Sequence, residues 1–183
     1  MRIVAGKHRG RRLTAPKGKH VRPTLDRVRE SLFSILTQGE AKLPKDVRVL
    51  DAFAGSGALG LEALSRGAAC VTFIDNDRES VDLIEQNLAY LGEEGSATVL
   101  LWNALRPGPA NTPFNLVFLD PPYGAGLAPL ALEALRQAGW IATRAQIVIE
   151  QSKKENFELP DGYSLESERL YGNTHILFVR ANS

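Results

Sequence analysis

An α/β fold with a mainly parallel sheet is what this sequence predicts, and three observations lead to it. From residue 47 onward, short apolar runs alternate with stretches of helical periodicity, which is the pattern of strands joined by crossover helices. A glycine-rich turn over residues 51–60, DAFAGSGALG, lies where the first strand should meet the first crossover helix. Near the end of the chain, two β-prone runs flank Gly172 and Asn173, which predicts a closing antiparallel hairpin.

The bounds of each element follow from the spacing of apolar residues and from glycines that end helices. Parallel strands are predicted over 47–53, 70–75, 97–102, 114–120 and 145–151, and the closing hairpin over 162–172 and 174–180. Crossover helices are predicted over 57–67, 78–92 and 127–139. Upstream, residues 2–16 predict a small hairpin bent at Gly10, followed by a helix over 24–36 with Thr24 as its N-cap.

Length and composition exclude several classes of protein. With 183 residues, 44% of them hydrophobic, the chain can bury the core of one globular domain. No apolar run approaches the roughly 20 residues that span a bilayer, and the N-terminus is too polar for a secretory signal. Cys70 is the single cysteine, so no intrachain disulfide can form, and the three histidines are scattered. We therefore expect a cytoplasmic protein with no membrane partner and no metal site.

Charge is distributed unevenly along the chain, although the net charge is only +1. Residues 1–29 contain ten Lys or Arg and one acid, whereas the remainder contains twelve Lys or Arg and twenty acids. A basic segment joined to an acidic body favours a polyanionic partner, most often nucleic acid, over a merely solvated arm. The residues of this arm that we expect to contact the polyanion are Arg9, Arg11 and Arg12.

The glycine-rich turn matches the pattern G-x-G-x-x-G through Gly55, Gly57 and Gly60. Such glycines allow a tight turn and let a ligand approach the N–H groups of the following helix. Asp75, at the end of the second strand, can accept hydrogen bonds from both hydroxyls of a ribose, with Asp77 as the alternative. The same pattern fits an NAD-dependent oxidoreductase, but Asp51 before the turn would repel a pyrophosphate. S-adenosylmethionine has no phosphate and carries an ammonium group, so we predict it as the cofactor.

The third strand ends in Trp102, Asn103 and Ala104. Ligands of doubly wound sheets lie across the carboxyl ends of the strands at the point where the strand order reverses. Asn103 is therefore expected to hydrogen-bond an adenine edge, with Ala104 beside it in the cofactor site. An ordinary loop asparagine is the alternative.

The fourth strand runs directly into LDPPYG, which suits chemistry on the amino group of a nucleobase. The nitrogen lone pair of such a group is delocalised into the ring, so it is a poor nucleophile. A carboxylate (Asp120) and a backbone carbonyl (Pro121) can accept its two N–H bonds and localise the lone pair. Two successive prolines, the second being Pro122, stiffen the turn, and the ring of Tyr123 can stack on an extruded base.

A glycine-rich loop, a ribose-binding acid and D-P-P-Y in this order resemble class I S-adenosylmethionine-dependent methyltransferases that modify amino groups. More narrowly, the chain resembles the RsmD family of bacterial 16S rRNA guanine-N2 methyltransferases. The stretches that carry this resemblance are RIVAGKHRGRRL, RPTLDRVRESLF, LDAFAGSGALGLEALSRGA, FLDPPY and GNTHILFVR.

The resemblance implies a Rossmann-like sheet of seven strands with helices on both faces and a small basic N-terminal extension. It implies an RNA-binding extension over residues 1–40 and a methyltransferase domain over 41–183. It further implies methylation of guanine 966 (in the standard rRNA count), in a partly assembled small ribosomal subunit, with S-adenosylhomocysteine as product. A monomer is expected.

Residue roles also follow from the resemblance. Cofactor contacts are expected from Asp51, Ala54, Gly55, Ser56, Gly57, Asp75, Asn76 and Asn103. The target base should be handled by Asp120, Pro121 and Tyr123, and the matching N-terminal motif contains Arg22, Thr24 and Arg27. Three alternatives remain open at this stage: an adenine-N6 methyltransferase acting on DNA or RNA, an NAD-dependent oxidoreductase, and a non-catalytic RNA-binding assembly factor.

Overall fold

A computed structural model describes residues 1–15, 23–37, 43, 46–124, 126–155 and 157–183. Its strands are β1 Arg48–Ala52, β2 Cys70–Asp75, β3 Ala97–Leu101, β4 Phe114–Leu119, β5 Ile141–Ser152, β6 Tyr163–Tyr171 and β7 Thr174–Ala181. They form one seven-stranded sheet in the order β3-β2-β1-β4-β5-β7-β6. Strands β1 to β5 run parallel to one another, whereas β7 is antiparallel to both β5 and β6. The predicted mainly parallel sheet and closing hairpin are therefore confirmed.

The helices cover both faces of this sheet, as the resemblance implied. They are α1 Pro23–Leu36, α2 Ala58–Ser65, α3 Arg78–Leu91 and α4 Leu127–Gln137. Apolar side chains of α1, α2 and α3 pack in one core, and those of α4 pack in a second core on the opposite face. Helix α1 begins at Pro23, so Thr24 lies inside the first turn and is not the residue that precedes the helix.

The N-terminal hairpin forms as predicted and is bound tightly to the sheet domain. The Ile3 N–H donates to the Arg11 carbonyl at 3.0 Å, and the Gly10 N–H donates to the Ile3 carbonyl at 2.9 Å. Ile3 is buried in the core that α1, α2 and α3 share. A Cβ on Gly6 would lie 1.9 Å from the carbonyl oxygen of Ser65, so only glycine lets the hairpin approach α2 this closely.

Strand β5 starts four residues earlier than the spacing of apolar residues predicts. Phe114 pairs with Ile141, but Leu116 pairs with Gln146, so the register shifts in between. Arg144, within this irregular stretch, has a φ of 60°. A bulge of this kind breaks the alternation of apolar and polar residues by which a strand is identified in a sequence.

The strand order places a crevice between β1 and β4. The chain runs from β1 outward to β2 and β3, and then returns to the other side of β1 as β4. At such a switch point the loops on the carboxyl side diverge and leave room for a ligand. Within the described ranges, no helix is long and apolar enough to cross a membrane.

Candidate functional site

Four carboxylates lie at the carboxyl edge of the sheet, at the ends of four adjacent strands. Ala52, Ile74, Leu119 and Ile149 are in register across β1, β2, β4 and β5, and all four pack in the core beneath α4. Because side chains alternate between the two faces of a strand, Asp51, Asp75 and Glu150 face the other side, and Asp120 directly follows the last residue of β4. In spatial order across the sheet these acids are Asp75, Asp51, Asp120 and Glu150.

The glycine-rich loop combines an open side with a tightly packed side. The φ angles of Gly55 and Gly57 are 53° and 73°, in the region that favours glycine. A Cβ on Gly55 would meet no atom nearer than the Phe53 carbonyl oxygen at 4.0 Å, so a ligand can approach here. A Cβ on Gly60 would lie 2.2 Å from the ring of Phe73. Gly60 therefore permits the close packing of α2 on β2.

Asp75 connects the glycine-rich loop to the end of β2. One carboxylate oxygen accepts the Gly55 N–H at 2.7 Å and the other accepts the Asp77 N–H at 2.9 Å. Each oxygen retains the capacity for a further hydrogen bond, which is what two ribose hydroxyls require. Asp77 is engaged elsewhere, since its side chain caps α3 by accepting the N–H groups of Glu79 and Ser80. The geometry thus favours Asp75 over Asp77 as the ribose ligand.

Asp51 lies beneath the loop and has only 2% of its surface exposed. Its carboxylate accepts the Gly60 N–H at 2.8 Å, which ties β1 to the first turn of α2. Burial raises the pKa of Asp51 to about 7, the Gly60 hydrogen bond opposes this, and the charge of Asp75 adds to it. The predicted attraction to a cofactor ammonium group stays a prediction, and it would favour the ionised form of this acid.

Other predicted cofactor residues differ in how they can meet a ligand. The amide oxygen of Asn103 accepts the Leu105 N–H at 2.9 Å and keeps a second lone pair, so both this oxygen and the NH2 group could contact an adenine. Ala104 is buried in the core beneath α4, which leaves only its backbone for a ligand. Ala54 is buried too, and its N–H donates to the Ile74 carbonyl. Ser56 donates to the Met1 sulfur at 3.6 Å, and Asn76 is exposed.

The acid-proline corner that follows β4 is open to solvent and ordered by neighbouring strands. Asp120, Pro122 and Tyr123 are exposed, whereas Pro121 is buried. The Tyr123 hydroxyl donates to a Glu150 carboxylate oxygen at 2.8 Å and lies 3.3 Å from the Thr174 hydroxyl. Burial, together with the charges of Glu150 and Asp120, raises the pKa of Tyr123, so the phenol remains a donor. The ring is still 49% exposed and can offer a stacking face.

The predicted RNA-binding residues fall into two places. Arg9, Arg11 and Arg12 are exposed on the hairpin, and Arg11 stacks on Tyr90 with its guanidinium 5.5 Å from the ring centre. The hairpin tip contacts Ser65, at the end of α2. Because α2 runs away from the carboxyl edge for eight residues, or roughly 10 Å, the tip with Arg9 lies at the far end of α2 from the glycine-rich loop. Arg12 instead pairs with Arg2 at the open end of the hairpin, where Met1 contacts Ser56 of that loop.

Arg27, by contrast, lies at the end of α1 that is nearer the corner. Ser31, one turn further along the same helix face, contacts the Tyr171 hydroxyl at 2.5 Å. Tyr171 pairs with Thr174, which contacts Tyr123. Arg27 itself is exposed. Arg22 lies outside the described residues, and for Thr24 only the helical backbone is described.

Glu150 and Thr174 are site residues that reasoning from the sequence missed. An acid that directly follows the apolar run IVI at the end of β5 is the signal that could have identified Glu150. Thr174 had no such signal, because its place beside Tyr123 depends on the return of β7. Among the residues that the structure describes, no three His, Cys, Asp or Glu side chains come together as a metal site would require.

The amino-acid sequence is similar to a known family and to several known proteins. A family described as Conserved hypothetical protein 95 matches residues 1–180. The chain is 42% identical over 174 residues to the Ribosomal RNA small subunit methyltransferase D of Escherichia coli (strain K12), covering 94% of this chain and 85% of that protein. It is 35% identical over 187 residues to the Putative rRNA methyltransferase YlbH of Bacillus subtilis (strain 168), covering 98% of each.

A solved structure shares the same architecture. It is described as the putative methyltransferase yhhF from Escherichia coli, and it matches with a TM-score of 0.85 and 40% sequence identity over 100% of this chain and 98% of that one. The similarity therefore includes the N-terminal hairpin and α1 as well as the sheet.

Proposed function

The chain belongs to the RsmD family of ribosomal RNA methyltransferases, and from this premise we propose that it transfers a methyl group from S-adenosylmethionine to the exocyclic N2 of a guanine in 16S rRNA. Guanine 966 in the standard rRNA count is the proposed target. One observation carries the proposal: the Asp120 corner and the glycine-rich loop with Asp75 meet at one carboxyl edge, on either side of β1.

The residues present suit S-adenosylmethionine, which supplies an electrophilic methyl group when it is bound. Asp75 would accept hydrogen bonds from the ribose hydroxyls, and Gly55 leaves space for the ligand to approach the loop backbone. The NH2 group of Asn103 would donate to the adenine. Asp51 would interact with the ammonium group, through its charge beneath the loop. Ala54, Ser56, Gly57, Asn76 and Ala104 would complete the cavity, mainly through their backbone.

The corner after β4 would hold the target base. The Asp120 carboxylate and the Pro121 carbonyl would each accept one N–H of the guanine amino group, which draws its lone pair out of conjugation. The nitrogen would then accept the methyl group that the bound cofactor supplies, with S-adenosylhomocysteine as the product. The proton released from nitrogen passes to Asp120 or to water. Stacking on Tyr123 would contribute about 1–3 kcal/mol to holding the base, and Pro122 would keep the turn rigid.

RNA outside the target base would contact the basic N-terminal extension, residues 1–40, which precedes the methyltransferase domain 41–183. Arg27 would bind a phosphate close to the corner, and Arg22 and Thr24 of the same motif are proposed as further RNA ligands. Arg12, Arg11 and Arg9 would extend these contacts along the hairpin, since Arg12 pairs with Arg2, which contacts Asp26 beside Arg27. A row of contacts of this length suits a folded rRNA rather than a single nucleotide. We propose that the substrate is a partly assembled small subunit and that the enzyme acts as a cytoplasmic monomer.

Methyl labelling of small ribosomal subunits from cells that lack this activity tests the proposal. The expected result is incorporation of one labelled methyl group per particle, which nuclease mapping and mass spectrometry identify as N2-methylguanine at the target position. Labelled N6-methyladenine would instead establish the adenine alternative, which the D-P-P-Y corner also suits. Absence of any transfer would leave a non-catalytic RNA-binding factor.

Asp120→Asn should reduce methyl transfer at least a thousandfold while leaving the affinity for S-adenosylmethionine within about twofold, because it removes the charged acceptor next to the attacking nitrogen. Asp82→Asn, a matched change of an exposed acid on α3, should have no effect. Turnover by Asp120→Asn at the wild-type rate would remove Asp120 from the mechanism.

A further inference from the structure

Glu150 is a half-buried acid at the carboxyl edge for which the reaction proposed above has no role. It follows Ile149 on β5, as Asp120 follows Leu119 on β4, and Ile149 and Leu119 are paired. Asp120 and Glu150 therefore follow paired residues of adjacent parallel strands, and the charges of both act on Tyr123. Glu150 is held from the other side by β7, where it pairs with Ile176. Its backbone is thus fixed by the sheet and not by a loop.

The contact that Glu150 makes is to the aromatic ring of the corner. The Tyr123 hydroxyl donates to Glu150 at 2.8 Å, and Thr174 from β7 lies 3.3 Å from the same hydroxyl. Tyr123 itself stands on the turn after β4, with about half of its surface exposed. An exposed tyrosine that is anchored only at Cα is free to change rotamer. Anchoring its far end to two strands of the sheet fixes the χ1 rotamer, and with it the place that the ring occupies.

The next residue of the turn is tied to the same strand end. The Gly124 N–H donates to one oxygen of Glu155 at 2.5 Å, while the other oxygen of Glu155 accepts the Ser152 N–H at 2.9 Å. Two acids that follow the core of β5 therefore hold two successive residues of the turn after β4. The turn is fixed at its ring and at its backbone before any base arrives.

We infer that Glu150 is a positioning residue, which acts through the Tyr123 hydroxyl to hold the ring in one place beneath the target base. The inference rests on the proposed function, since it assigns to Tyr123 the stacking of that base. A base stacked on a fixed ring presents its amino group to Asp120 in one orientation. A base on a mobile ring samples several orientations, and a small misplacement of reacting atoms lowers the rate of transfer.

A double-mutant cycle tests whether Glu150 acts through this hydroxyl. Glu150→Ala removes the acceptor, Tyr123→Phe removes the donor but keeps the ring, and the double variant removes both. Single-turnover methylation of small-subunit particles should fall about tenfold in either single variant, with KM for the particle changed less than about twofold. The double variant should be no slower than Tyr123→Phe, because both changes break the same hydrogen bond.

Two further variants separate positioning from general support of the fold. Glu150→Gln keeps an oxygen that accepts from the hydroxyl, so it should restore at least half of the wild-type rate. Glu85→Ala, a change of an exposed acid on α3, should leave the rate unchanged. Thermal unfolding and the affinity for S-adenosylmethionine should match wild type in all variants.

A readout independent of activity follows the ring directly. The protein has four tyrosines, so the fluorine NMR signal of 3-fluorotyrosine at position 123 can be assigned from the Tyr123→Phe variant. Glu150→Ala should shift and narrow that signal, and Glu150→Gln should not. An additional rate loss on adding Glu150→Ala to Tyr123→Phe, or an unaltered ring signal in Glu150→Ala, would overturn the inference. Wild-type protein that transfers no methyl group would instead refute the proposed function.

Discussion

Replacing Asp51 with asparagine should stabilise the protein, and the gain should appear only as the pH rises. Asp51 is buried beneath the glycine-rich loop, and its pKa is raised from 3.8 to about 7, first by burial and then by the charge of Asp75. Between these two values the folded chain binds a proton that the unfolded chain releases. The stability that Asp51 contributes therefore falls as the pH rises from about 4 to about 7. Asparagine keeps an oxygen for the Gly60 N–H and cannot ionise.

The size of the effect follows from the pKa. At about 1.36 kcal/mol for each unit of pKa, a rise from 3.8 to about 7 corresponds to about 4 kcal/mol. Asp51→Asn should thus leave the free energy of unfolding unchanged near pH 4 and raise it by about 4 kcal/mol at pH 8. The charged form of the acid is what the proposed cofactor ammonium group requires. Affinity for S-adenosylmethionine should accordingly increase through pH 7 in wild type and remain flat in Asp51→Asn.

Urea unfolding at pH 5 and pH 8 measures the first effect, and calorimetry in two buffers of different ionisation enthalpy measures the proton that cofactor binding releases. Asp82→Asn, an exposed acid on α3, is the control and should show neither change. Equal stability of Asp51→Asn and wild type at pH 8 would refute the assignment of a neutral buried carboxyl to this position. A cofactor affinity that does not depend on pH in wild type would refute its role opposite the ammonium group.

Three further outcomes are expected from the geometry of the site and the hairpin. Asp75→Ala should weaken cofactor binding by about 1.5–3 kcal/mol, the value of a hydrogen bond to a charged group, as measured by calorimetry. Asp77→Ala should instead lower the free energy of unfolding by about 1 kcal/mol, as measured by thermal unfolding, because the cap of α3 is removed. If Asp77→Ala impaired binding and Asp75→Ala did not, the ribose assignment would be reversed. Glu62 is fully buried, is paired with Arg29 and Arg66, and accepts two N–H groups of the hairpin. Glu62→Ala should therefore destabilise the fold by about 3–5 kcal/mol and speed amide hydrogen exchange in the hairpin. Slow exchange in this variant would show that other interactions hold the hairpin. Neutralising Arg9, Arg11 and Arg12 should make the plot of log binding constant against log salt concentration less steep. The slope should change by roughly 0.7–0.9 for each RNA phosphate that an arginine no longer neutralises. An unchanged slope would show that RNA does not contact these three residues.

Local patterns in the sequence were sufficient to predict the elements and several of the acids. The strands at 70–75, 97–101 and 114–119 end within one residue of their predicted bounds, because an apolar run bounded by a turn residue depends only on neighbours in the chain. Asp75 was predicted as an acid at a strand end, and the structure places it on the loop N–H of Gly55. The seven-stranded sheet with helices on both faces came from the resemblance and is confirmed, whereas the order of its strands came from the structure.

Contacts between distant segments decided the rest. Glu150 meets Tyr123 only because β5 lies next to β4 in one register, and a single-residue slip would turn that acid to the opposite face. The burial of Asp51 depends on α2 folding back over β1, and a sequence pattern does not show whether an acid at a strand end will be covered. The tip of the hairpin lies at the far end of α2 from the glycine-rich loop because Gly6 and Glu62 dock the hairpin along α2. Sequence determines which residues carry charge and where strands end, whereas packing determines which of those charges meet.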